Sequence, residues 1–507
     1  MDEKTTKAEI YENALILDES AEQAIDVDFL LPEYYPDIEK ILKCFITPYI
    51  SAKGTNGNTL LAEGVAVITV LYTDNDNMLN SYEYRYSFSK SFDVSQSGEL
   101  CTYIEARPDY INCRAVGPRK IDVHGAITVK ATGRKRVARE ILTDTGFDDV
   151  EVLRETVSAN APLSCGEKTV DINEDIEIGN AKFDINCIIR YSGHVNIKES
   201  RSVAGKVMVK GDLALNILYC NDEGKIDLIK ETIPFGQMVE TATVTEDCMS
   251  DTKASLSGFE IKPKADNDGK LRSFSVDAKI LLSVFTYCVE DVSVLIDAYS
   301  RKYEIKTEKT EIELRKIAEN VNDTFTVKGT VELAGIKKMI DLWCKSVKGE
   351  ETLENGKLNA KGTLLVGALY FDENDLPLFT ERELPYSFER DINLLGENYE
   401  EDITVSVSSC SYLISNENSV DISAEMAAVG SVYEVTKKNV LSELNVDKDK
   451  KAQKKSECAL LVYFAEKGER LWDIAASHLA DLEELKEIND ISDDIIKEDK
   501  TLLIPMI

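Results

Sequence analysis

Residue types that could carry catalysis are sparse in this chain. Three histidines, His124, His194 and His478, are its whole supply of imidazole, and none stands in a metal-binding spacing such as His-Glu-x-x-His. Eleven cysteines are scattered singly from Cys44 to Cys458, with no Cys-x-x-Cys pair. That is not zinc spacing, and an odd, dispersed count speaks against a disulfide framework. Most are expected to be reduced and buried as small apolar residues. Neither a Gly-x-Ser-x-Gly elbow nor a Walker-type glycine loop occurs. The 92 carboxylates leave a paired-acid glycosidase open on composition, because two acids suffice.

Binding chemistry is concentrated in the last fifty residues. An apolar segment, Leu460-Leu461-Val462-Tyr463-Phe464, leads to Gly468-Glu469-Arg470-Leu471-Trp472. Helical periodicity then begins, with Leu471, Ile474 and Ala475 on one face. A second helix is expected from Asp481 to Ile488, with Leu482, Leu485 and Ile488 on one stripe. A last strand ends at Pro505, which cannot donate to a ladder. The order is βααβ. Leu460, Val462 and Phe464 fall on one side of the first strand and Leu461 and Tyr463 on the other. A two-sided apolar strand needs a second cover, either a preceding domain or a partner.

This module resembles a LysM domain: Tyr463, Gly468, Leu471, Trp472, Ile474, Ala475, Leu485, Asn489, Leu502, Ile504 and Pro505 fall on that pattern. The resemblance implies a groove for N-acetylglucosamine-containing glycans, between the turn before helix one and the turn after helix two. Both turns depart from the pattern. Glu469-Arg470 replaces an expected Asp-Thr, and Asp499-Lys500 an expected Gly-Gln. Long charged side chains obstruct the close backbone approach that a neutral sugar needs. A protein-binding LysM domain fits these rims better. The expected partner-binding residues are Leu460, Tyr463, Gly468, Glu469, Arg470, Leu471, Trp472 and Asn489, with Trp472 open to a core reading as well.

The remainder is an internal repeat. Gly64-Val65-Ala66-Val67-Ile68-Thr69-Val70-Leu71-Tyr72 recurs as Gly211 to Tyr219 and as Gly362 to Tyr370, each ending in Leu-Tyr. Eight residues separate each glycine from its tyrosine, which puts both on one strand face. Acidic turns follow at Asp74-Asn75-Asp76-Asn77, Asn221-Asp222-Glu223-Gly224 and Asp372-Glu373-Asn374-Asp375, each suited to a hairpin. Then come Phe88, Phe235 and Phe388. A later strand reads Lys120-Ile121-Asp122-Val123, Ser275-Val276-Asp277-Ala278 and Ser419-Val420-Asp421-Ile422. The glycines stand 147 and 151 residues apart, so the unit is domain-sized.

The expected fold is mainly β: three repeated antiparallel β-rich domains over 1–150, 151–302 and 303–436, a lysine-rich linker over 437–457, and a βααβ LysM domain over 458–507. Short helices are expected at Ile38 to Cys44, capped by Asp37, and at Ile336 to Trp343. Repeated surfaces suit multivalent assembly, whereas catalysis needs one asymmetric constellation. No enzymatic activity, catalytic residue, cofactor or metal is therefore expected.

A formal charge of −33 disfavours nucleic acid and anionic lipid. The basic cluster Arg134-Lys135-Arg136 with Arg139 reads as a solvated strand end or a salt-bridge face. No eighteen-residue apolar run predicts a transmembrane helix, and Met1-Asp2-Glu3-Lys4-Thr5 lacks the features of a secretory leader.

Three such repeats followed by one LysM domain resemble the SipL-like spore-coat morphogenetic family of clostridia, whose repeats are termed SPOCS domains. The resemblance implies a non-enzymatic adaptor in the mother-cell cytoplasm, at the forespore surface and in the spore coat. Its LysM domain would bind SpoIVA, an ATP-hydrolysing basement-layer protein, and its repeats would offer surfaces to other coat proteins. The rival reading is a peptidoglycan-binding protein of the wall or cortex.

Overall fold

A computed structural model describes residues 5–506, apart from 95–99, 180, 243, 267, 395–397 and 454–457. Six strands form the first unit: β1 (Thr5–Leu30), β2 (Lys40–Asn56), β3 (Thr59–Thr73), β4 (Leu79–Asp93), β5 (Cys101–Ala115) and β6 (Lys120–Thr145). They make two antiparallel sheets, ordered β2-β3-β4 and β1-β6-β5. The second unit repeats this with β7 (Val150–Glu177), β8 (Cys187–Val203), β9 (Lys206–Cys220), β10 (Ile226–Glu240), β11 (Met249–Ala265) and β12 (Leu271–Ser300). The third does so with β13 (Tyr303–Glu332), β14 (Ile336–Glu354), β15 (Lys357–Asp372), β16 (Pro377–Asp391), β17 (Tyr399–Asn416) and β18 (Ser419–Lys451). The fold is mainly β. No helix among the described residues is long and apolar enough to cross a membrane.

The repeated residues have repeated jobs. Gly64, Gly211 and Gly362 lie directly across the ladder from Phe88, Phe235 and Tyr386. A Cβ at any of the three would overlap that ring, so glycine admits an aromatic lid over its own strand. The third lid is Tyr386, two residues before the expected Phe388. Each acidic turn closes the same way. Asp74, Asn221 and Asp372 accept the backbone N–H of the residues two and four positions on, at 2.8–3.1 Å. Tyr72, Tyr219 and Tyr370 are buried in their own units, between the two sheets.

Leu71, Leu218 and Leu369, the neighbours of those tyrosines, instead point away from their units and meet in one shared cluster with Ile189 and Ile340. Strand β4 packs on β8, β10 on β14 and β16 on β2, so the three units close a ring around this cluster. Lys43–Glu381 at 2.7 Å, Arg190–Asp341 at 2.9 Å and Arg85–Glu260 at 3.2 Å tie the three junctions. A second shared core forms where the long strands run on past the sandwiches as paired ribbons. Ile10, Ile141, Val157, Val294, Ile312, Leu314 and Val440 are buried together there. At roughly 1.5–3 kcal/mol for each fully buried aliphatic side chain, these two cores hold the ring together.

Four expectations are corrected. Neither expected helix forms: Lys40 to Cys44 and Ile336 to Trp343 are strand, at the starts of β2 and β14, and Ile38 and Glu39 lie just before β2. Both segments carry β-bulges, at Ile41/Lys43, Ile336/Lys338 and Met339/Asp341. A bulge breaks the two-residue alternation, and burial on two faces fills the gaps, so the pattern imitates a helix. Asp37 caps no helix; it pairs with Arg119 at 2.7 Å. The expected linker is strand as far as Lys451, paired along β13. Val440, Leu441 and Leu444 are its buried residues, while Lys437 and Lys438 pair with Glu313 and Glu155 at 3.0 and 2.7 Å. Residues 454–457 of that segment lie outside the described residues.

The cysteines are the fourth correction. Disulfides join Cys44–Cys113, Cys101–Cys165 and Cys187–Cys220. The first links the two sheets of unit one, the second staples unit one to unit two, and the third closes the end of the β8–β9 pair. Cross-sheet neighbours lie 64 and 69 residues apart in the chain, which spacing alone does not reveal. The basic cluster is a structural face. Arg134 donates to the Asn13 carbonyl at 3.1 Å, Arg136 stacks on Tyr11 at 3.5 Å, and Arg139 pairs with Glu12 at 3.0 Å.

Candidate partner-binding site

The terminal module comprises β19 (Leu460–Ala465), α1 (Leu471–His478), α2 (Leu482–Asn489) and β20 (Lys500–Pro505). Leu471, Ile474, Ala475, Leu485, Leu502 and Ile504 form its core. Gly468 sits at φ 98°, a region that L side chains rarely adopt. Helix α2 is capped by Asp481, whose carboxylate accepts the Glu484 N–H at 3.0 Å, satisfying one orphan donor of the first turn.

The two turns of the expected groove are joined directly. Gly468 donates its N–H to the Ile496 carbonyl at 2.8 Å, Ile496 to Glu469 at 2.9 Å and Leu471 to Asp494 at 2.9 Å. Glu469 folds back, its carboxylate accepting the Tyr463 hydroxyl at 2.9 Å and the Glu466 N–H at 2.8 Å. That hydrogen bond raises the Tyr463 phenol above its ordinary range, with burial second. Asp499 accepts the Lys467 N–H at 2.9 Å. These rim carboxylates are spent on the module's own backbone.

Asn489 is a clip. Its amide accepts the Leu503 N–H at 2.7 Å and donates to the Leu503 and Leu485 carbonyls, both at 2.8 Å. It therefore seals the outer edge of β20, while among the described residues β19 pairs with β20 alone.

Trp472 is 4% exposed, and its cover comes partly from the second unit. The indole stacks edge-on against Tyr299 with centroids 5.0 Å apart and donates Nε1–H to Asp297 at 3.1 Å. Around it, the Tyr299 hydroxyl donates to the Ala480 carbonyl at 2.7 Å, and Arg301 pairs with both Asp481 and Glu151. Leu153 completes the contact. Burial raises the Tyr299 phenol, with Glu151 second. The α1–α2 corner is thus docked on the end of the second ribbon.

The opposite face is open. Leu460, Val462 and Phe464 are 49%, 54% and 77% exposed, and Leu503, directly opposite Val462, is 40% exposed. Leu461 and Tyr463 point inward to the module. Of the eight expected residues, Leu460 lies on this apolar strip, and Arg470 is exposed in the turn before α1. Tyr463, Leu471, Trp472 and Asn489 do internal work, while Gly468 and Glu469 shape the turn. Val462, Phe464 and Leu503, which complete the strip, were not among the expected residues, although the alternation of β19 had already placed the first two beside Leu460.

Two other clusters have weaker claims. A cleft of about 1300 Å³ between the units has two ion pairs in its lining, Lys253 with Asp402 and Arg315 with Glu400. Asp26, Asp122 and His124 could together hold a metal among the described residues, but His124 already bridges the two carboxylates at 3.1 and 3.3 Å.

A family model for the SipL SPOCS domain matches residues 37–116 and 184–264, and a LysM domain model matches 465–505. No curated protein and no solved structure is matched. The two SPOCS matches cover β2 to β5 and β8 to β11; the third unit repeats the same strand order outside them. SPOCS and LysM domains are non-catalytic binding domains. The chain is accordingly a sporulation-related, LysM-containing protein with the SipL-like architecture of SPOCS domains followed by a LysM domain.

Proposed function

We propose that this protein is a non-enzymatic adaptor of spore-coat assembly, which uses the outer face of its LysM domain to bind a SpoIVA-like basement-layer ATPase at the forespore surface. One observation carries the reading: an apolar strip of Leu460, Val462, Phe464 and Leu503 left uncovered on a module whose other face is docked within the chain. Uncovered apolar strands mark partner surfaces, and burying such side chains supplies about 1.5–3 kcal/mol each. The turn chemistry agrees, since short polar groups for a sugar are replaced by Glu469 and Asp499, both engaged with backbone. The ring of units then serves as the scaffold that displays the module.

LysM membership itself favours glycan as the second reading. The test is equilibrium binding of the full chain to a SpoIVA-like ATPase and, separately, to insoluble peptidoglycan. The adaptor reading expects capture of the protein, lost on Phe464→Glu. Capture of peptidoglycan alone would put the protein on the wall or cortex instead.

A further inference from the structure

The three units solve one packing problem with three chemistries, and the third solution is unfinished. In each unit, the first strand of one sheet faces the edge strand of the other: β2 faces β5, β8 faces β11 and β14 faces β17. In unit one this seam is closed by Cys44, opposite Val70 in its ladder, bonded to Cys113, opposite Val123. The 147-residue repeat puts Tyr191 in the place of Cys44. Phe259, opposite Ala278, takes that of Cys113. Their rings meet edge-on at 5.3 Å.

In unit three those places belong to Leu342, opposite Ala368, and Tyr412, opposite Ile422. One rung along the same seam stand Cys344, opposite Val366, and Cys410, opposite Ala424. The corresponding rung of unit one holds Ile46, opposite Ile68, and Ile111, opposite Gly125, both packed in its core. Both cysteines have moved by two residues, in step, and stay on the facing strands β14 and β17, where both pack on the third core.

We propose that Cys344 and Cys410 are a disulfide-forming pair, closed by a low-molecular-weight disulfide into a cross-sheet bond equivalent to Cys44–Cys113. One thiolate attacks a sulfur of the small disulfide, forming a mixed disulfide and releasing one thiol. The second cysteine attacks the protein sulfur of that bond and releases the other thiol. Two protein thiols are oxidised and one small disulfide is reduced to two thiols. The Cys410 contact, then burial, raises the Cys344 thiol above its ordinary range, so the exchange runs faster at alkaline pH.

The full chain is incubated with oxidised glutathione at about pH 8.5, chosen near the ordinary cysteine pKa. A short cysteine peptide in the same tube reports when exchange is complete. The protein is then denatured, alkylated and digested. The expected result is a peptide linking Cys344 to Cys410, with both lost to alkylation and neither carrying glutathione. In Cys410→Ser that linked peptide disappears, while Cys44–Cys113 remains. Recovery of Cys344 and Cys410 as alkylated or glutathione-capped residues, after the reporter peptide has fully reacted, would overturn the proposal.

Discussion

The two faces of the LysM module differ less in composition than in company. The docked face carries Trp472, met by Tyr299, Asp297 and Leu153 of the second unit. The outward face carries Leu460, Val462, Phe464 and Leu503, which stay 40–77% exposed among the described residues. Both are apolar enough to bind a protein. What separates them is that the docked face also has its polar atoms matched, through Trp472 Nε1, the Ala480 carbonyl and Asp481. An indole N–H lodged against a carboxylate is a finished contact; a bare row of Val and Phe on an edge strand is an unfinished one.

Substitutions should pull the two faces apart. The largest effect is expected from Trp472→Ala, which truncates a buried aromatic and costs about 3–5 kcal/mol. The check is calorimetry with limited proteolysis: the LysM module should melt early, while the ring of units keeps its transition. Val462→Glu and Phe464→Glu should do the reverse. Each leaves the melting profile unchanged and weakens partner binding about 30- to 150-fold, equivalent to ~2–3 kcal/mol of apolar burial. Asp481→Ala removes a helix cap and the partner of Arg301, with an expected loss of about 1–2 kcal/mol, read as a lower denaturant midpoint for the module. Tyr299→Phe deletes only the hydroxyl bonded to Ala480 and should cost about 1 kcal/mol. An equal effect of Trp472→Ala and Phe464→Glu on both binding and melting would erase the distinction between the faces.

Much of this was legible in the residues, for identifiable reasons. The Gly–Leu–Tyr blocks and their acidic turns repeat because each encodes local geometry: a glycine under an aromatic ring, an Asx-closed hairpin. The LysM pattern was legible for the same reason, since Gly468 and Asn489 serve their own neighbourhood. What failed was long-range. Bulges at Ile41/Lys43 and Ile336/Lys338 disguised β2 and β14 as helices. The lysine-rich stretch after Thr436 is strand because β13, more than a hundred residues earlier in the chain, pairs with it. The disulfide partners of Cys44 and Cys101 lie on other strands, as does the cover of Trp472. Alternation along β19 gave both its faces correctly, yet only the packing of Leu461 and Tyr463 on the module's own core told which one remained open.

The most direct test of the account measures binding of the full chain and of its Phe464→Glu variant to a SpoIVA-like ATPase, with the melting profile of each recorded beside it. The account predicts a variant that melts like the parent and binds at least about 30-fold more weakly, in line with the loss of one buried aromatic contact. Parental affinity in a variant that melts normally would contradict it, and would place the partner surface away from the outer strand of the LysM domain.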